Sequence, residues 1–196
     1  LQTADFADDR AATTTTADLI PVLSLLREHH HTEEEIVFPQ VRPFDETLID
    51  GLEAQHETIE TLLTIAGDAV SATETAEPAS RPDAGAELNK RFNELAAFYL
   101  EHLAHEEQTI VPVMWEHFTD EGLAAIQKAI MASAKPQLVL DWLGWMFRGL
   151  NRQELVSMLS DAKASLPEPA LEGIRDLGAA NLEPERWAVI REQAGL

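Results

Sequence analysis

Two segments of this chain share one pattern of side chains able to hold a cation. His29-x-x-x-Glu33 is followed by Pro39 ten residues after the histidine, and His102-x-x-x-Glu106 by Pro112 at the same distance. The letters between agree in character, HHHTEEEIVFP against HLAHEEQTIVP. Residues four apart project from one helix face about one turn apart, so an imidazole and a carboxylate at this spacing reach the same small volume. Two such pairs on neighbouring helices bring two nitrogens and two carboxylates together, and each carboxylate has two oxygens with which to bridge two cations. Nitrogen and oxygen donors without sulfur suit iron or manganese and do not favour copper(I); zinc is a further candidate. His56 adds a third imidazole on a third segment.

Each piece also has an ordinary reading. A lone histidine on an apolar stripe, such as His56, is commonly a hydrogen-bonded core residue. A run such as Glu33, Glu34 and Glu35 is commonly a solvated face. What separates Glu33 and Glu106 from that reading is their place on the apolar side of their helices, where an unpaired carboxylate is costly. The register of the first cassette is ambiguous, because His30 with Glu34 and His31 with Glu35 have the same spacing. The distance to the proline and the stripe from Leu19 to Leu26 both select His29, with His30 at its edge. His31 shares a face with Arg27 and is expected in solvent. Glu34 and Glu107 are either further ligands or partners that orient a histidine. His105 is expected beside the site or at the surface, and His117 carries no signal.

The elements that must position these groups read as helices. Residues 1–15 are polar and threonine-rich and read as a tail or connecting loop. Thr16 is placed to cap a first helix, with Pro21 near its first turn and an apolar stripe of Leu19, Val22, Leu23 and Leu26 continuing through His29 and Glu33. Pro39 and Pro43 end or kink it. A second helix is expected from Glu46 to Val70 with Ile49, Leu52, His56, Ile59 and Leu63 inward. Residues 71–87 read as a long loop, and a third helix starts near Glu87 and carries His102 and Glu106. Beyond Phe118 come short helices: one over Ala124 to Ala132, an apolar one opened by Pro136 with Trp142, Trp145 and Phe147, one with an Asn151/Glu154 capping box, and a last one holding Trp187. No alternating strand pattern is present, so the expected class is all-α. The domain reading is 1–15 tail, 16–118 metal-binding bundle, and 119–196 C-terminal helical extension.

Composition narrows the function. Of 196 residues, 45% are hydrophobic, enough for a sizeable core. The 35 acidic and 14 basic residues give a net charge of −21, which disfavours nucleic acid and anionic membrane surfaces. The chain has no cysteine, which removes disulfides, iron–sulfur clusters, thiolate zinc sites and cysteine nucleophiles. The longest apolar stretch, Leu138 to Leu150, contains Asp141 and Arg148 and is too short to span a bilayer. No signal peptide is visible, and a cytoplasmic location is expected.

On the segments LLREHHHTEEEIVFP, AQHETIETLL and YLEHLAHEEQTIVP, the chain resembles the hemerythrin-like, or HHE cation-binding, family over roughly Ala17 to Met114. The resemblance implies an antiparallel four-helix bundle around a non-heme di-iron centre bridged by oxo or hydroxo. It implies His29, His56 and His102 as terminal imidazoles and Glu33 and Glu106 as bridging carboxylates. In that family the first bundle helix also supplies a histidine. No histidine precedes His29 here, so that helix is expected to lie outside the given chain. Oxygen carriers of the family have His-x-x-x-His on the helix that corresponds to that of His56, where this chain has His56-x-x-x-Glu60, so Glu60 offers a carboxylate instead.

The expected function is therefore that of a hemerythrin-like di-iron protein binding or reducing oxygen, peroxide or nitric oxide. Alternatives are a metal- or oxygen-responsive regulatory module without turnover, in which occupancy orders the missing first helix or the 71–87 loop and changes the contacts of the Trp-rich C-terminal helices, and a di-iron oxidase of an organic substrate. A scaffold with one structural zinc or none is the blandest. The C-terminal helices are expected to pack over the bundle or at a homodimer contact.

Overall fold

A computed structural model describes residues 1–196, the side chain of Pro136 aside. The chain is all-α, without strands among the described residues, and divides into two compact units, Leu1–Ser133 and Ala134–Leu196. No helix among the described residues is long and apolar enough to cross a membrane.

In the first unit, α1 (Asp9–Thr32) passes through a π-helical turn (Glu33–Val37) into the short α2 (Phe38–Val41). Then α3 (Glu46–Thr75), α4 (Arg81–His117) and α5 (Asp120–Ser133) follow. Three long helices run up, down and up, and α3 packs against both α1 and α4. Their apolar stripes form two clusters. One holds Leu19 and Leu23 with Ile59, Leu63 and Val70 and with Leu88, Leu95 and Tyr99. The other holds Val37, Phe38 and Val41 with Ile49, Leu52, Ile110 and Ile126. Along each of the three helical segments of this bundle the polar cassette residues fall between the two clusters. On α3 the order is Leu52, His56, Ile59, and on α4 it is Tyr99, His102, Glu106, Ile110. Each wholly buried Leu or Ile contributes about 1.5–3 kcal/mol, so two apolar layers clamp one polar layer.

Several sequence expectations are corrected here. Residues 9–15 are helical rather than part of a tail. Asp8, not Thr16, is the N-cap, its side chain accepting from the Ala11 amide. The threonine run is tolerated because Thr13 and Thr15 donate their hydroxyls to the carbonyls four residues back, a local bond that substitutes for solvent contact. Thr16 is buried inside the helix, and Pro21 lies well inside it too. The expected 71–87 loop shrinks to residues 76–80. Helix α3 continues because Thr73 is buried and donates back to Ala69, and α4 starts at Arg81 with a proline in its first turn, where a missing N–H costs nothing. Pro78 stays in the connector, while Pro82 marks a helix start. The mobile loop on which the regulatory reading leaned is therefore mostly helix. The first unit has three long helices, and its boundary lies at 133/134 rather than 118/119, because α5 buries Ile126 in the second cluster.

The second unit holds α6 (Pro136–Gly149), α7 (Arg152–Ser165), α8 (Glu168–Asn181) and α9 (Pro184–Ala194). Their starts fall sixteen residues apart, and each two-residue connector begins with leucine: Leu150, Leu166 and Leu182. The Asn151/Glu154 capping box forms as expected. Phe147, Leu155, Leu159 and Ile190 are wholly buried, with the Trp187 indole edge-on to Phe147 at 5.8 Å. Gly178 lets that indole lie directly on α8, since a Cβ there would sit 2.6 Å from the ring.

Candidate metal centre

Four side chains from three helical segments converge in the polar layer. Glu33, His56, His102 and Glu106 each offer one donor atom, and those atoms lie within 4.8 Å of one another. The two imidazoles meet Nε2 to Nε2 at 3.1 Å. A Glu33 oxygen lies 3.6 Å from His56 Nε2, and a Glu106 oxygen 3.4 Å from His102 Nε2 and 3.9 Å from His56 Nε2. His29 joins from the more open side, its Nε2 3.3 Å from Glu33 Oε1 and its side chain a third exposed.

The outer nitrogens of both central rings are engaged. His56 Nδ1 donates to Glu34 Oε1 at 2.9 Å, and His102 Nδ1 donates to Gln55 Oε1 at 2.8 Å. The Gln55 amide nitrogen in turn donates to His105 Nδ1 at 2.8 Å. Each central ring has thus committed its one neutral-state proton to Nδ1. Burial, followed by the charge of neighbouring histidines, pushes both rings down to about 4, so neither is an imidazolium at neutral pH. Two nitrogen lone pairs therefore face each other.

The carboxylates are equally out of balance. Burial, then the nearby Glu106 and Glu34, pushes Glu33 up to about 9, and burial pushes Glu106 up to about 7. His29 Nε2, Glu33 Oε2 and Glu106 Oε1 are buried without a hydrogen-bond partner. Buried polar atoms are ordinarily paired; here the two carboxylate orphans belong to the converging four, and the His29 orphan lies beside Glu33. The residues present fit a transition-metal cation where the four converge.

The π turn has a local consequence. It begins at Glu33 and Glu34, and these sequence neighbours reach opposite nitrogens of the same His56 ring, Glu33 toward Nε2 and Glu34 on Nδ1. Such turns recur at functional sites. The other sequence candidates are placed differently. His30 donates its Nδ1 proton to the Leu26 carbonyl and turns Nε2 toward Glu60 at 3.6 Å, and Glu60 pairs with Arg27 at 3.0 Å on the surface. Neither belongs to the converging four. Glu34 acts as a partner of His56. His31 and Glu35 form an exposed pair, Glu107 is exposed, and His117 stacks on Phe44.

Three residues shape the site without having been singled out for it. Phe38 stacks on His56 at 5.1 Å. Tyr99 has its ring about as close to His29 as to His102, at 6.2 and 6.1 Å, and burial with the nearby Glu33 and Glu106 keeps it a neutral phenol. Gln55 is the third. The available signal for it was its place next to His56 opposite the His102/His105 pair, a juxtaposition visible only once α3 and α4 are docked.

A family profile described as the hemerythrin HHE cation binding domain matches residues 5–114. Comparison with curated proteins and with solved structures gives no match. The profile spans more than half of the chain and runs through every helical segment that feeds the cluster, and the chain belongs to the hemerythrin HHE cation-binding domain family.

Proposed function

We propose that this protein holds a non-heme di-iron centre in the polar layer of its first unit and there binds or reduces a small ligand such as oxygen, peroxide or nitric oxide. The observation that carries the reading is the pair of facing Nε2 lone pairs of His56 and His102, 3.1 Å apart with both ring protons already committed elsewhere. A cation held by these groups would relieve the repulsion and satisfy the orphaned oxygens of Glu33 and Glu106. An iron pair held there would supply redox chemistry that no side chain of the site has.

The chain's own residues do the rest. His29, His56 and His102 present imidazole nitrogens, and Glu33 and Glu106 have oxygens enough to serve two ions. The absence of sulfur from the donor set favours iron or manganese, with zinc the competitor. Phe38 and Tyr99 wall the layer and keep bulk water out, which strengthens every charge interaction inside it. Access for a small ligand lies on the side of His29 and Glu33, the two members that retain solvent contact. Glu33 and Glu106, both raised toward or above neutrality, can hold a proton beside that entry.

Metal analysis with optical spectroscopy of aerobically purified protein tests the reading. The expected result is about two irons per chain with near-ultraviolet charge-transfer bands that weaken in His102→Ala and in His29→Ala. Protein that folds with no metal, or with one zinc and no such bands, overturns it.

A further inference from the structure

The hydrogen bonds behind the two central histidines differ in kind. Behind His56 stands a carboxylate, Glu34 Oε1 at 2.9 Å, and behind His102 stands a neutral amide, Gln55 Oε1 at 2.8 Å. We propose that Gln55 is the positioning residue of His102. Its amide oxygen fixes the ring as the Nδ1-protonated tautomer and so leaves Nε2 bare toward the site, while making His102 a weaker electron donor than His56. The consequence for an ion rests on the metal-binding reading above; the claim about the tautomer does not.

The argument runs through hydrogen-bond capacity. An amide oxygen only accepts, so at 2.8 Å from Gln55 Oε1 the His102 Nδ1 must carry the proton. A neutral imidazole has one proton to give, hence Nε2 is a lone pair. An amide can, however, present either end to a neighbour, and if Gln55 were reversed it would donate to Nδ1 and force the proton onto Nε2, closing that donor atom. In the structure the amide oxygen faces His102 Nδ1 and the amide nitrogen lies 2.8 Å from His105 Nδ1, an arrangement that is satisfied when His105 carries its own proton on Nε2. The chain His105–Gln55–His102 therefore transmits a direction from the edge of α4, across α3, back to the inner face of α4. His102 itself is wholly buried, so no water substitutes for the amide.

The two backing groups also grade the ligands. A carboxylate accepting the Nδ1 proton pulls that proton further and leaves more electron density on Nε2 than an amide does.

The test starts with the metal-free wild-type protein, where two-bond proton–nitrogen correlation spectra report the tautomer of each histidine. His102 is expected as the Nδ1–H form; an Nε2–H form overturns the proposal without any variant. Gln55→Leu removes the acceptor at similar size, and Gln55→Glu returns it. In Gln55→Leu, His102 is expected to populate both tautomers, and cobalt(II) affinity, measured by chelator competition, to fall about 10- to 100-fold. In Gln55→Glu both readouts are expected to return, with affinity at or above wild type. A Gln55→Leu protein that keeps the Nδ1–H form at His102, or that loses the form with no change in cobalt(II) affinity, overturns the proposal. Wild-type protein that takes up no cobalt(II) overturns the metal-binding reading instead, and leaves the tautomer measurement to decide Gln55 by itself.

Discussion

Loading the centre must expel protons, and the structure gives their number. In the metal-free protein Glu33 is pushed up to about 9 by burial and by the neighbouring Glu106 and Glu34, and Glu106 up to about 7 by burial. At pH 7 the carboxyl pair therefore holds roughly one to two protons, while His56 and His102, pushed down to about 4, hold none. A cation accepts only the deprotonated carboxylates, so its apparent affinity rises with pH at a slope equal to the protons released. Between pH 6 and 8 Glu33 contributes about two powers of ten and Glu106 about one, for a rise of about a thousandfold, or about 4 kcal/mol. Competition against a chelator of known affinity, with iron(II) under anaerobic conditions or with cobalt(II), reads this directly. Titration calorimetry in two buffers of different ionisation enthalpy counts the protons independently. In Glu33→Gln the rise is expected to shrink to about tenfold, because only Glu106 still titrates in that window. An affinity that changes less than tenfold over the two pH units in the wild type would refute the reasoning, since the carboxyls would then be ionised already, or would not touch the ion.

The same groups predict the behaviour of the metal-free fold. Glu33 and Glu106 keep protons that the unfolded chain has lost, so their contribution is present below about pH 4.5 and declines as pH rises toward about 9. His56 and His102 stay neutral where the unfolded chain is charged, so theirs is present above 6.5 and declines as pH falls to about 4. The two trends oppose each other between 4.5 and 6.5. Above 6.5 only the carboxyl trend remains, and urea unfolding of chelator-treated protein is expected to show a loss of about 4 kcal/mol by pH 9; stability that is flat or rising over that range contradicts it. In the second unit, Gly178→Ala sets a methyl into the Trp187 indole and is expected to destabilise that unit by about 1–3 kcal/mol. Urea unfolding followed by fluorescence reports it, because Trp142, Trp145 and Trp187 all lie there; an unchanged midpoint would mean the indole does not rest on that backbone.

What the sequence determined by itself was the chemistry of the donors and the helices that carry them. The i,i+4 spacing of His29 with Glu33 and of His102 with Glu106, on faces that also hold Leu19, Leu23, Leu95 and Ile110, is local information, because a helix's periodicity relates residues one turn apart. Local information also placed the Asn151/Glu154 cap, which forms within four residues. It failed where a residue type has two local meanings. Of the prolines after Glu77, Pro78 stays in the connector and Pro82 opens α4, and the threonines from Thr13 to Thr16 lie in α1, with Ala12 and Thr16 buried; nothing in the local sequence chose between loop and helix there. Tertiary structure alone decided which member of each carboxylate and histidine run turns inward. The π turn at Glu33 sends Glu33 and Glu34 to opposite nitrogens of His56, while Glu60, on α3, pairs with Arg27. It alone revealed Gln55, whose two partners lie 47 and 50 residues away along the chain. Donor type is written in the residues, but which proton each ring keeps depends on what stands behind it, and that is set only when separate helices meet.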